Sequence, residues 1–203
     1  MIRIFATLAF LSIILLLSAM ILGLTMGDLY EKPMPGQDTL QWATIHRLTG
    51  VAAALAVVFV ESVVVTYFIG TSRWVREVVE TYRFDPAPIR ASNRLKRKTF
   101  PWALAGMLTV VGIISLGGAA DPATMRPNTQ AWADWHLYGA FLGIAFVAWT
   151  YFIEWTYIVA NHEIIESLVA NVQKVRHDQG LEDGLPSERP VTQNPSGRAT
   201  DFG

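Results

Sequence analysis

Apolar residues gather in four runs, at roughly 4–26, 43–70, 100–120 and 135–160, separated by stretches rich in charge, proline and glycine. Each run reaches the roughly 20 helical residues that a hydrocarbon layer requires. A chain in lipid must satisfy its backbone hydrogen bonds within the same segment, so the runs predict helices. The expected fold is all-α, an integral membrane four-helix up-down bundle over residues 1–160. The first run has an apolar core longer than the about 7–15 residues of a signal peptide, and no A-x-A pattern follows it, so it reads as a retained helix.

Past the fourth run the apolar pattern changes character. Ile164, Ile165, Leu168, Val169 and Val172 recur at helical spacing among charged residues, and Gly180 offers a stop. Residues 161–180 therefore read as a helical extension beyond the membrane. Residues 181–203 are rich in Pro, Gly, Ser and charge, which predicts a flexible tail. The connection 71–99 shows an amphipathic turn or two around Trp74–Tyr82. Asp85-Pro86-Ala87-Pro88 then breaks it, and a basic cluster follows at the level of anionic headgroups.

Charge adds an orientation. That connection carries Arg73, Arg76, Arg83, Arg90, Arg94, Lys96, Arg97 and Lys98, whereas the other two connections carry only Lys32 and Arg126. The positive-inside rule places it, and with it both termini, in the cytoplasm. A multi-pass protein of a bacterial inner membrane is the expectation, with the lipid bilayer as partner and no role for nucleic acid. The chain has no cysteine, which excludes disulfides, thiolate catalysis, thiolate metal sites and covalent c-type haem attachment. Its net charge of −1 discriminates nothing further.

Two hexapeptides, QWATIH at 41–46 and AWADWH at 131–136, head the second and fourth runs. An offset of 90 pairs Trp42 with Trp132, Ala43 with Ala133, His46 with His136, Thr66 with Thr156 and Tyr67 with Tyr157. The helices before them end alike, in Gly27-Asp28 and Ala120-Asp121. A competing register exists, since TYFI at 66–69 also matches TYFI at 150–153. The pattern predicts a duplicated helical hairpin, its two copies parallel in the membrane.

Such a repeat puts His46 and His136 at one depth on diagonal helices near the outer face. Imidazoles placed so can approach one iron from opposite sides, as bundles do when they hold a haem without covalent bonds. The residues three, four and seven places deeper are small in both helices: Thr49, Gly50 and Ala53, then Gly139, Ala140 and Gly143. They would leave room for a flat ligand, although Gly139 and Gly143 equally suit an ordinary small-residue packing face. Arg47 could neutralise a haem propionate. Trp42, Trp132 and Trp135 suit interface anchoring.

IHRLTG and WHLYG resemble the histidine-bearing segments of four-helix transmembrane cytochromes b, of the cytochrome b561 kind and of the four-helix halves of haem A synthase. The resemblance covers the second and fourth helices. It implies one haem b, with His46 and His136 as axial ligands. The second histidine pair usual in cytochrome b561 proteins has no counterpart, because His162 lies 26 residues past His136, about 39 Å along a helix. A single outer haem suits exchange with a quinol or a periplasmic carrier, or relay among other subunits of a respiratory or photosynthetic-type complex. A subunit is a better expectation than a free-standing enzyme.

Two carboxylates fall within the runs. Glu61 lies about 22 Å deeper than His46 and roughly 60° from its face, which makes it a candidate for proton transfer or quinone binding. Glu154 lies near the cytoplasmic end, where reaching the headgroups is the simpler reading. His162, Glu163 and Glu166 have metal-like spacing, but a solvated helix start explains them as well. Two other functions compete with the haem protein. One is a cofactor-free structural or assembly subunit. The other is a copper-binding subunit using Met26, Met34, Met125, Asp28, Asp121 and the two histidines.

Overall fold

A computed structural model of the chain describes residues 1–32 and 34–180. Four helices account for nearly all of them: α1 (Ile2–Thr25), α2 (Gln37–Tyr82), α3 (Ala87–Ala120) and α4 (Ala133–Asp178). Two single 3-10 turns, Pro122–Thr124 and Thr129–Trp132, join α3 to α4. There is no strand among the described residues. Each of the four helices is long and apolar enough to cross a membrane. The tail expected over 181–203 lies outside the described residues.

Side-chain contacts fix how the helices run. Ala19 on α1 meets His46 on α2, and Gly27 at the end of α1 meets Thr39 near the start of α2. Glu61 faces Gly106, Ser72 bonds Ser92, and Arg47 bonds Asp121, so α2 and α3 are antiparallel. Gly117 lies beside His136 and Ser92 bonds Asn161, so α3 and α4 are antiparallel too. Ser12 bonds Tyr151, which closes the ring between α1 and α4. Across the centre, His46 meets His136 and Tyr67 meets Asn161. Helices α2 and α4 are therefore the parallel diagonal pair of an up-and-down bundle.

The core is a column of small and medium side chains, among them Ala53, Val57, Val60, Val64, Phe68, Val110, Val147 and Ile158. Outside it, Phe10, Leu55, Phe59, Leu104, Leu108, Leu142, Trp149 and Phe152 are exposed around the bundle. A soluble monomer seldom shows an apolar surface on that scale, and a lipid-facing belt requires one.

The helices overrun the apolar runs at the basic end. Instead of a long connection over 71–99, α2 continues to Tyr82 and α3 starts at Ala87, leaving four residues between them. Arg83 adopts φ 55°, and Phe84 donates its backbone N–H to Val79, which stops α2. The Asp85 carboxylate then accepts from the Ala87 N–H at 2.6 Å, and Pro86 caps α3. A second small core of Val75, Val79 and Leu168, packed against Phe84, Ile89, Ile164 and Ile165, secures this extension. The helix expected around Trp74–Tyr82 is thus continuous with α2, and the basic cluster is helical.

Burial repeats along the chain. At an offset of 90, Ala53, Val57, Val60, Glu61, Val64 and Phe68 on α2 match Gly143, Val147, Thr150, Tyr151, Glu154 and Ile158 on α4, and all are buried. At an offset of 94, Phe5, Ala9, Ser12 and Leu16 on α1 match Thr99, Ala103, Gly106 and Val110 on α3, again all buried. The two hairpins thus present equivalent faces to one core.

Candidate functional site

At the end opposite the basic cluster, His46 and His136 stand with ring centres 6.1 Å apart and planes inclined by 69°. Both rings are half-buried, and no hydrogen bond joins them. Each imidazole is held from its own hairpin. His46 Nδ1 lies 2.8 Å from the carbonyl oxygen of Ala19, so its Nδ1–H donates and its Nε2 is left as a donor atom for a ligand. His136 lies against the carbonyl of Ile113, the residue equivalent to Ala19, but short of hydrogen-bonding geometry, and its Nδ1 is buried without a partner.

A glycine makes each placement possible. A Cβ at Gly23 would sit 2.9 Å from Cε1 of His46, and one at Gly117 would sit 3.0 Å from Cε1 of His136. These glycines are four residues beyond Ala19 and Ile113, and they are equivalent at the same offset of 94. Sequence reasoning missed them. The signal was there in Leu22-Gly23 and Leu116-Gly117, but the first and third helices were compared only at their ends, where Gly27-Asp28 and Ala120-Asp121 match at an offset of 93.

The other expected site residues fall elsewhere. Arg47 does not stand free: its Nη1 reaches both carboxylate oxygens of Asp121, at 3.1 and 2.8 Å, and its Nη2 donates to Thr44. Gly139 and Gly143 turn towards α3, where an added Cβ would run into Leu116 and Ile113 respectively. They are a close-packing face between α3 and α4. Gly50 has open space around it, and Ala53 is wholly enclosed in the core. The stripe of small residues is thus not a single slot. Trp42, Trp132 and Trp135 are exposed, as anchors would be.

The loops at this end are clamped together. Tyr30, between α1 and α2, donates its hydroxyl to the Ala120 carbonyl, with the Thr129 carbonyl at 3.4 Å. Burial, and then the neighbouring Asp121 and Asp28 carboxylates, push the Tyr30 phenol above its ordinary range. Beside α3, an open cleft of about 490 Å³ is lined by Ser115, Leu116, Ala119, Arg126 and Trp132, among others.

Deeper in the bundle, Glu61 and Glu154 are both 0% exposed. Thr150 Oγ1 donates to Glu61 Oε1 at 3.4 Å, and Ser12 and Tyr151 bond each other at 3.0 Å nearby. Glu154 does not turn out of the bundle towards its surface: its side chain is wholly enclosed, beside Glu61. His162 pairs with Glu166 at 3.2 Å on an exposed surface, as a solvated helix would. Among the described residues, no group of three or more His, Cys, Asp and Glu side chains is placed to hold a metal ion.

The chain matches no known family model, and neither curated proteins nor solved structures show significant similarity to it.

Proposed function

We propose that the chain is a membrane-embedded haem b subunit exchanging single electrons at the outer face, with His46 and His136 as axial ligands. One observation carries the reading: two equivalent histidines, one on each diagonal helix, are brought 6.1 Å apart by glycines their hairpins supply. Donor nitrogens on opposite sides of one metal ion, about 2 Å from it each, set their ring centres roughly 6 Å apart. The donor chemistry fits as well. The Nδ1 bond to Ala19 fixes the His46 ring and directs Nε2 to the ligand, the usual support of a metal-bound imidazole.

When bound between two imidazoles, a haem supplies a one-electron couple whose potential follows its ligands and burial. The chain's own residues hold and orient the imidazoles, while the Tyr30 clamp and the Arg47–Asp121 pair tie down the loops above them. Arg47 would meet a haem propionate only by sharing or giving up its bond to Asp121.

The eight basic residues of the α2–α3 end support a cytoplasmic placement of that end by the positive-inside rule, with the histidines on the outer side. One haem there cannot carry electrons across the membrane. Its partners are then a quinol or a periplasmic carrier, for which the cleft beside Leu116 offers an approach, and other subunits of a respiratory or photosynthetic-type complex.

The cofactor-free alternative draws on Gly139 and Gly143, whose close packing on α3 needs no ligand. It gives no reason for two imidazoles to meet at equivalent places of the two hairpins. The copper reading lacks a third protein ligand of His, Asp or Glu type beside the pair among the described residues. The test is a reduced-minus-oxidised optical spectrum of the full chain purified from haem-replete cells. Sharp b-type bands are expected, lost in both His46→Ala and His136→Ala. A featureless spectrum overturns the proposal, and metal analysis finding copper without iron selects the competing site.

A further inference from the structure

The buried polar groups that the histidine site leaves unused are concentrated in the middle and basic-end halves of the bundle. Glu61 on α2 and Glu154 on α4 lie side by side across the core. Oε2 of Glu61 and both carboxylate oxygens of Glu154 are buried without a hydrogen-bond partner. Two ionised carboxylates cannot bond each other, since neither has a proton to give. Nor is there a compensating cation: no Lys, Arg or His among the described residues forms an ion pair with either. The titratable neighbours are Tyr151 on α4 and, further towards the basic end, Tyr67 on α2; α1 and α3 contribute the uncharged Ser12 and Gly106.

The two sides of this pair differ. Towards the histidines the enclosed residues are Ala53, Val57, Leu16, Val110 and Val147, an apolar plug. Towards the basic end a polar network begins at Asn161, seven residues past Glu154 and about 10 Å further along the helix. Asn161 Nδ2 donates to Tyr67 Oη at 3.1 Å and to Thr71 Oγ1 at 3.0 Å. Ser92 donates to Asn161 Oδ1 at 3.2 Å, and Ser72 lies 3.2 Å from Ser92.

We infer that Glu61 and Glu154 form a proton-binding pair that holds one shared proton and exchanges it with the basic end through the Tyr67–Asn161–Ser92–Ser72 network. One proton converts an unmatched pair of acceptors into a donor and an acceptor and leaves a single negative charge. It comes from water at the basic end and returns there. Phe68 and Ile158 share the intervening layer, so transfer is gated by side-chain motion and does not follow an open water file. The pair titrates as a unit. This inference goes beyond the haem reading and does not rest on it.

The experiment is infrared spectroscopy of the full chain in lipid nanodiscs, with and without ¹³C-labelled glutamate. At neutral pH a protonated-carboxyl C=O band is expected that shifts with the label, is unchanged when Na⁺ replaces K⁺, and disappears in Glu61→Gln/Glu154→Gln. In Asn161→Leu its hydrogen–deuterium exchange slows at least tenfold. Absence of a labelled glutamate band in the unmodified chain overturns the shared proton, even if the variants fail to fold. A band that Na⁺ abolishes replaces the proton with a cation, and exchange at the unmodified rate in Asn161→Leu, with helix content preserved, overturns the route.

Discussion

At Gly23 and Gly117 the useful property is a missing atom. Valine at 117 would push its Cβ into His136 and force the ring off its carbonyl neighbour. Overpacking of this kind costs about 1–3 kcal/mol. Gly117→Val is therefore expected to lower the thermal midpoint and weaken the reduced optical bands, whereas Gly112→Val, in open space, does neither. Equal effects from both substitutions would remove the steric argument. Tyr30 gives a pH-dependent companion. Its phenol holds its proton more tightly folded than unfolded, so its contribution is full below the ordinary tyrosine value of about 10 and fades as pH rises above it. Thermal midpoints between pH 8 and 11 should fall more steeply in the unmodified chain than in Tyr30→Phe. Residue-scale features were unevenly legible. His46 and His136 could be paired because the repeat ties them together. Glu154 could not be placed against Glu61, because a sequence gives depth along a helix more readily than rotation between two helices.

The helices themselves show where hydropathy stops being informative. It located all four long apolar helices, but it ended α2 at 70, 12 residues short of Tyr82, and started α3 at 100, 13 residues after Ala87. Beyond the apolar runs a helix needs only one residue in three or four to be apolar, and here Val75, Val79 and Leu168 suffice. Leu168 is almost wholly enclosed, so Leu168→Ala should cost about 2–5 kcal/mol. The loss should remain local. Faster amide exchange is expected in residues 72–92 and 160–178, with the optical spectrum unaltered; a spectral change would mean that the two ends are coupled. Pro101 fits the same boundary. It gives up a backbone donor inside α3 where the basic stretch ends, and the helix passes through it.

For the whole molecule, the proposed orientation rests on the charge of the α2–α3 end and can be tested because the chain has no cysteine of its own. A cysteine introduced at exposed Gln130 should react with an impermeant maleimide on intact cells, and one at exposed Glu80 only after permeabilisation. The reverse pattern would invert the topology and place the histidines inside. The repeat has a further consequence. His46 and His136 occupy matching places in the two hairpins, whereas Glu61 matches Tyr151 and Glu154 matches Val64. A feature lying on a pseudo-twofold axis can be made from one hairpin used twice. A feature lying off that axis cannot. Two copies of the first hairpin, associated as a dimer, would still offer paired histidines, but they would place glutamate against glutamate where the real chain has Tyr151. The single-chain bundle is therefore free to vary its middle layer while its histidine end stays symmetric.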